Sequence, residues 1–440
     1  MALARFLARF YYRVERAGSS LPAAGPVLLV GNHPNGLVDP VLLASATPRT
    51  VRFVGKAPLF ELPILGSVMR GLRVLPVYRP ADGADVSLNE ATFAAVHAAL
   101  AAGDVVCLFP EGKSHDEPLV QKLKTGAARM ALGAEAGRDF ELGVRIVPVG
   151  LVYRAKRRFR SPVATWVGAP IEVRDLAPLF ERDHREAVRL LTERIAEGLR
   201  EVTLSLDRWE DLRLLELAER IFPPDERDRL ERLKAFADGV HVLRARGEPR
   251  IEELAARIAA FRDRLERLGI PVDDLGRRYR PPAVLRFALL NLARLLIGLP
   301  LALVGAAFWA LPYRLIPWFV QRLSPNRDIH ATYQILGGVV FFPLWLILAS
   351  VALGIGIHPW VGVGFALLAP ALGLFALAFL EWRREVTEDV RVFLRLGLRT
   401  SLHNRLLKER DAIAREIGEL RAEFLARREP NSTASAPKDG

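Results

Sequence analysis

Two uncharged apolar runs near the C-terminal end constrain this 440-residue chain more than any other feature. Ile335–Ile357 extends for 23 residues and Val361–Leu380 for 20, and neither contains Asp, Glu, Lys or Arg. About 20 apolar residues in a helix cover the ~30 Å hydrocarbon core of a bilayer, so each run is long enough to cross. Only His358-Pro359-Trp360 separates them, which predicts a tight helical hairpin. Arg314, Arg322 and Arg327 precede it, and Arg383, Arg384, Arg391 and Arg395 follow it. Cations on both flanks place both on the cytoplasmic side, as in an integral protein of a bacterial inner membrane. A further apolar stretch, Leu295–Leu311, contains Pro300. A full crossing there would put the N-terminal part and the tail on opposite faces, so we expect this stretch to be re-entrant or interfacial.

The remainder of the chain divides by periodicity. In residues 1–20, Leu3, Phe6, Leu7, Phe10 and Val14 recur at helical spacing between Arg5, Arg9, Arg13 and Arg16. No uninterrupted apolar core of a cleavable signal is present, and a basic amphipathic helix with aromatics predicts a segment lying in a membrane interface. From 21 to 175, short β-type runs alternate with helical or loop stretches: Val27–Val30, Val51–Val54, Val74–Val77, Val105–Phe109, Arg145–Val149 and Val163–Val167. That alternation predicts an α/β domain, a mixed sheet flanked by helices with most of the sheet buried. Residues 176–285 step by three and four through Val188, Leu191, Ile195, Leu199 and Val202, and again through Ile251, Leu254, Ile258, Phe261, Leu265 and Leu268. Arg and Glu fill the positions between, so a soluble helical region is expected there. A membrane region, 286–382, with its hairpin at 335–380, and a basic helical tail, 383–440, complete the chain. Ile413, Ile417, Leu420 and Phe424 form one stripe of the tail, which suits either a membrane-surface helix or a short coiled coil. Residues 430–440, PNSTASAPKDG, have the composition of a disordered end.

Charge and cysteine content narrow the class. A net charge of +12 suits a polyanionic partner, and an anionic lipid surface accounts for it without nucleic acid. The one cysteine, Cys107, excludes an intramolecular disulfide framework. It lies in an apolar run and is expected to be an inert core residue.

Two motifs carry chemistry. Asn32–Pro40, NHPNGLVDP, places a histidine and a carboxylate one to two helical turns apart, just after an apolar run. Val105–Lys124, VVCLFPEGKSHDEPLVQKLK, is an apolar run ending in Phe-Pro-Glu-Gly and a cluster of cations. A histidine oriented by a carboxylate is a general base near its working pH, and a Gly-containing cationic loop suits a phosphate. Other readings fail on spacing. Gly112-Lys113-Ser114 ends like a P-loop, but Cys107 stands where the upstream glycine is required. No G-x-S-x-G elbow and no zinc-type Cys/His spacing is present.

These residues resemble the glycerolipid acyltransferase family. NHPNGLVDP resembles its first block, Gly55-Lys56 with Pro63 and Gly66 the approach to its second, LPVYR of Leu75–Arg79 the end of that block, FPEGKSHD its third, and Ile146-Val147-Pro148-Val149 its fourth. The blocks occur in the family's order within roughly residues 5–205. The commonest family pattern has four residues between histidine and aspartate, whereas His33 and Asp39 have five. That spacing, the Ser-His-Asp after FPEG and LKTGAARMALGA of Leu123–Ala134 resemble the yeast-type glycerol-3-phosphate/dihydroxyacetone-phosphate branch, which also carries C-terminal membrane segments.

The resemblance implies an O-acyltransferase with His33 as general base and Asp39 as its orienter. Asn32, Pro34 and Asn35 would shape the turn that aims the ring. Arg79, Glu111 and Gly112 would line the acceptor site. Glu111 cannot bind phosphate, so it accepts from an acceptor hydroxyl or orders the loop. Lys113, Ser114, Lys56 and Lys124 are further candidates for the substrate site, with Lys113 or Lys124 supplying the cation. His115 is expected to order the loop. No cofactor and no metal is expected. The substrates would be acyl-CoA or acyl-carrier protein as donor and glycerol 3-phosphate, with or without dihydroxyacetone phosphate, as acceptor, at a phospholipid membrane. Two other readings stay open: acylation of 1-acylglycerol 3-phosphate to phosphatidic acid, and a membrane scaffold whose catalytic domain has decayed.

Overall fold

The computed structural model describes residues 2–36, 38–61, 63–79, 83, 85–115, 117–156, 158–204, 206–223, 228–276, 281–323, 330–392 and 400–426. The expected disordered end lies outside the described residues, as do Arg327 and Arg395. The chain divides into two compact units: residues 1–205 with 323–335, and 206–322 with 336–440.

The first unit runs through Ala2–Tyr11 (α1), Tyr12–Gly18 (β1), Val27–Gly31 (β2), Val38–Ser45 (α2), Val51–Lys56 (β3), Pro63–Gly71 (α3), Leu75–Val77 (β4), Asn89–Ala101 (α4), Val105–Leu108 (β5), Gly126–Ala136 (α5), Arg145–Tyr153 (β6), Ser161–Val167 (β7), Ile171–Glu172 (β8), Ala177–Arg182 (α6) and His184–Glu201 (α7). The strands form one eight-stranded sheet in the order β1-β7-β6-β2-β5-β3-β4, with β8 also on β6. β6, β2, β5, β3 and β4 are parallel neighbours, whereas β7 and β8 run antiparallel to β6, so the sheet is mixed.

Side chains alternate across a strand, and here both faces are covered. Leu28, Val30, Val106, Leu108 and Ile146 face α4, α5 and α7. Val27, Leu29, Val105, Cys107 and Val147 face α2 and Tyr12. This is why β2 reads as an unbroken apolar run instead of an alternation. Cys107 is fully buried, and burial pushes its thiol well above the usual range, so it carries no thiolate.

Two boundaries differ from the sequence expectations. The helix of residues 1–20 ends at Tyr11; Tyr12–Gly18 is an edge strand parallel to β7, with Val14 opposite Val163. The exposed edge of β7 wins over the helical spacing, because ladder bonds and burial of Tyr12 exceed a propensity preference. Composition places a domain boundary near 175, whereas the α/β unit continues to residue 204. Leu191, Ile195 and Leu199 of α7 are buried on the sheet, and Asp183 caps that helix by accepting from the backbone N–H groups of Arg185 and Glu186. The apolar stretch at 295–311 lies within one long helix, described next.

The second unit contains Asp211–Ile221 (α8), Arg229–Ala245 (α9), Arg250–Leu268 (α10), Pro281–Leu323 (α11), most of His330–Gly356 (α12), Pro359–Val392 (α13) and Thr400–Ala426 (α14). α14 packs its stripe of Leu406, Ile413, Ile417 and Leu420 against Ile251, Leu254, Ile258, Phe261 and Leu265 of α10. Arg250, Arg257 and Arg264 pair with Glu423, Glu416 and Glu409. The partners descend as the arginines ascend, both by seven, so the two helices are antiparallel. The tail is thus a helix-packing element, one of the two alternatives its stripe allowed. Segments of α11 (Arg294–Arg322), α12 (Tyr333–Gly356) and α13 (Pro359–Arg383) are long and apolar enough to cross a membrane.

Candidate active site

In a sheet of parallel strands the loops leaving the carboxyl ends gather on one edge, where such folds place their ligands. Here β2 leads to Asn32–Gly36, β5 to Phe109–Ser114, β3 ends at Lys56, β4 is followed by Arg79, and β6 ends at Tyr153. Blocks distant in sequence meet there because their strands are neighbours.

Asn32 fixes where the chain leaves β2. Its side-chain amide donates to Leu151 O (3.0 Å) and accepts from Leu151 N (2.7 Å), extending the β2–β6 ladder by one side chain. His33 follows, and both of its backbone groups are held by the neighbouring loop. His33 N–H donates to Glu111 Oε1 (3.0 Å), and His33 O accepts from His115 N–H (3.1 Å). The imidazole stacks on Phe109, with centroids 3.9 Å apart and planes 12° from parallel. Nδ1 lies 2.9 Å from Asp39 Oδ2.

The chain turns between His33 and Asp39 through Gly36, whose φ of +41° favours glycine. That turn accommodates the five-residue spacing and starts α2, with Asp39 in its first turn. Asp39 is fully buried. Besides the imidazole, its Oδ2 accepts from Asn35 N–H (2.6 Å) and its Oδ1 from Tyr153 Oη–H (2.5 Å). A buried carboxylate requires such donors in place of water. Burial, then the adjacent Asp39 charge, hold the Tyr153 phenol well above its usual range, so it acts as a neutral donor. Asn35 in turn donates through Nδ2 to Tyr12 Oη (2.9 Å), Tyr12 donates to Lys156 O, and Lys156 Nζ donates to Pro34 O (2.8 Å). The turn that aims the ring is thereby tied to β1 and to the segment after β6.

Glu111 is also buried. One oxygen accepts from His33 N–H, and the other from Gln121 N–H (2.8 Å) and the ring of His115. Both oxygens of Glu111 thus bond to the His33 backbone and within its own loop, with His115 beside it. Gly112, with φ +76°, turns the loop outward, and Arg79 donates to its carbonyl. Lys124 donates its backbone N–H to Pro110 O (2.7 Å), and its stem lies beside Gly112, 3.4 Å from where a Cβ would stand. Lys113 and Lys124 are exposed, Ser114 half-buried. Arg79, Gly112 and Lys124 are thus brought together next to the His33 loop. Lys56 stands at the end of β3, opposite Val77 of β4. Tyr12, Phe109, Tyr153 and Lys156 were not legible as site residues. Their signal, position at the carboxyl end of a parallel strand or against it, exists only once the strand order is known.

Comparison with known proteins finds the following similarities. Residues 13–152 match the family model described as Acyltransferase. Over 280 residues, 57% of the chain, it is 28% identical to Glycerol-3-phosphate O-acyltransferase 1 of Saccharomyces cerevisiae, covering 36% of that protein. Over 137 residues, 31% of the chain, it is 36% identical to Glycerol-3-phosphate O-acyltransferase 2 of the same yeast, covering 18% of it. The match thus spans about a third or less of these curated relatives. Among solved structures, the 1-acyl-sn-glycerophosphate (LPA) acyltransferase PlsC of Thermotoga maritima matches with a TM-score of 0.33 and 18% identity, over 45% of this chain and 79% of that one.

Proposed function

We propose that this chain is a membrane-bound acyltransferase that moves a fatty acyl group from acyl-CoA or acyl-carrier protein to the sn-1 hydroxyl of glycerol 3-phosphate, an early step of phospholipid synthesis. The observation that carries this reading is the His33–Asp39 pair, its carboxylate held by three donors and its histidine bonded through the backbone to the Gly112 loop. Similarity to the two yeast glycerol-3-phosphate O-acyltransferases supports the choice of acceptor.

In this mechanism Asp39 holds the Nδ1 tautomer of His33 and stabilises the imidazolium when it forms. Nε2 removes the proton of the acceptor hydroxyl as its oxygen attacks the thioester carbonyl carbon. The tetrahedral intermediate collapses, the C–S bond breaks, and the imidazolium returns its proton to the thiolate. Arg79, Lys113 and Lys124 neutralise the acceptor phosphate around Gly112. Membrane attachment suits a donor and a product that are amphiphiles.

The test supplies labelled palmitoyl-CoA to membranes containing the parent protein or His33→Ala, with glycerol 3-phosphate, dihydroxyacetone phosphate or 1-acylglycerol 3-phosphate in separate reactions. Label in lysophosphatidic acid that disappears with His33→Ala is expected. Label entering phosphatidic acid only from the acylated acceptor would move the activity to the second step. No His33-dependent product, with acyl-carrier-protein donors also tried, would overturn the enzymatic reading.

A further inference from the structure

Residues on either side of the apolar helices share one core, and this limits how the chain threads a membrane. α10 precedes all three apolar helices and α14 follows them. Nevertheless they form one antiparallel pair, with Arg250 Nη2 2.6 Å from Glu423 Oε2, Arg264 Nη1 2.7 Å from Glu409 Oε2, and His403 Nε2 2.7 Å from Leu275 O. Helices packed on each other lie on the same face of a bilayer. The number of crossings between residues 276 and 400 is therefore even, although three helices are long enough to cross.

A second contact identifies the helix that turns back. At the start of α12, Gln334 accepts from Tyr11 Oη (2.5 Å), and Ile335 packs on the core around Tyr12. Every described helix capable of crossing lies beyond residue 293, so Tyr11 and α10 are on one face, and Gln334 is there too. α11 lies between residue 276 and Gln334, and both of its ends are on that face.

The contacts along α11 fit this path. Gly298 meets Phe379, a Cβ there falling 2.5 Å from its ring, and Gly305 approaches the backbone of Leu372. Trp309 Nε1 donates to Ala369 O (2.9 Å), and Trp345 Nε1 to Phe308 O (3.1 Å). Beyond Pro312, Ile316 meets Gly337 and Phe319 stacks on Phe341. Gly337 and Phe341 lie nearer the start of α12 than Trp345, and Phe379 lies nearer the exit of α13 than Ala369. From Phe308–Trp309, α11 thus turns toward the open end of the α12–α13 hairpin in both directions. Prolines 300, 312 and 317 inside the helix are where such a helix bends. Trp345 is 11 residues beyond Gln334, about 16 Å along a helix, or roughly half the hydrocarbon thickness.

We infer that α11 is a re-entrant membrane wedge that enters and leaves the lipid on the face of the α/β unit, reaching mid-depth at Phe308–Trp309, while α12 and α13 cross as a pair. Its partner is the acyl-chain region of the leaflet on that face, to which Leu296, Ile297, Leu301, Leu303 and Val304 are exposed. The inference is independent of the proposed chemistry.

The test is cysteine accessibility in sealed membrane vesicles of one orientation. Ala260→Cys, Gln321→Cys, His358→Cys and Asn404→Cys place thiols at exposed positions in the full chain. Cys107 is fully buried, so the parent serves as the unlabelled control. With a membrane-impermeant maleimide, cysteines at 260, 321 and 404 are expected to react from one face, and the cysteine at 358 only from the other. Reaction at 321 from the face opposite 260 would show that α11 crosses and overturn the inference. Reaction at 358 from the same face as 260 would overturn the crossing pair. Arg322→Cys repeats the decisive position should 321 not react even in detergent.

Discussion

A carboxylate buried at Asp39 has no water to stabilise its charge, and three donors take the place of water: the His33 ring, the Asn35 N–H and the Tyr153 hydroxyl. The first two lie within the motif and fix the ring from nearby. Tyr153 arrives from 114 residues away and holds the other oxygen, which fixes the plane of the carboxylate and thereby the angle at which it meets Nδ1. Hydrogen bonds to charged groups contribute about 1.5–3 kcal/mol. Tyr153→Phe is therefore expected to lower kcat roughly ten- to hundredfold with KM for the acceptor little changed, since the ring still packs edge-on against Tyr12. Steady-state kinetics on the purified variant check this, and an unchanged kcat would remove Tyr153 from the positioning set. Asp39→Asn is expected to be more severe, about 10⁴-fold by analogy with other carboxylate–histidine pairs. His33 and Asp39 were legible because their chemistry sits within seven residues. Tyr153 was not, because its role depends on β6 lying beside β2, a tertiary fact with no local signature. The role of Glu111 was half legible. The residue was singled out, but that it binds the backbone of His33 emerges only from the pairing of β2 with β5.

Among the elements, α14 separates what charge contributes from what burial contributes. Its three Arg–Glu pairs with α10 lie at the partly exposed rim of the interface, and surface pairs are worth about 0.2–1 kcal/mol each. Ile413 is 1% exposed at the centre of the same interface, and trimming such a residue to alanine costs about 2–5 kcal/mol. Ile413→Ala is thus expected to raise the rate of proteolytic cleavage of the tail by about 30-fold or more, and Arg257→Ala by no more than about fivefold. Limited proteolysis in mild detergent measures both, and equal effects would mean that the ion pairs hold the tail. The stripe in α14 was visible at helical spacing, but its partner was not, since α10 lies about 160 residues earlier. β1 shows the opposite failure. Its residues fit a helical stripe, and the unpaired edge of β7 overrides that local preference.

For the whole molecule, the apolar runs of α12 and α13 were legible because their length matches a bilayer and they carry no charge. α11 was harder, since length and composition give it the same credentials; only the contacts of its two ends tell it from a crossing helix. With α12 and α13 embedded, the protein is expected to stay in the membrane fraction after high salt and after alkaline carbonate, and to leave it only with detergent. Release by carbonate would mean that apolar length has been mistaken for insertion. The +12 charge then has a natural counterpart in anionic lipid headgroups.

The pairing of β2 with β5 has a consequence for how such a site tolerates change. His33 and Glu111 follow adjacent parallel strands, Val27–Val30 opposite Val105–Leu108, so the spacing between the histidine and the loop is inherited from the ladder, at about 4.8 Å between strands. Surface loops can lengthen without disturbing it. One residue inserted into β2 or β5 cannot be absorbed in this way. Because side chains alternate with a period of two, it would exchange the strand's two buried faces and turn the histidine and its partner loop out of phase. The distance at which this site works is set by counting residues in two short apolar strands, neither of which holds a catalytic side chain.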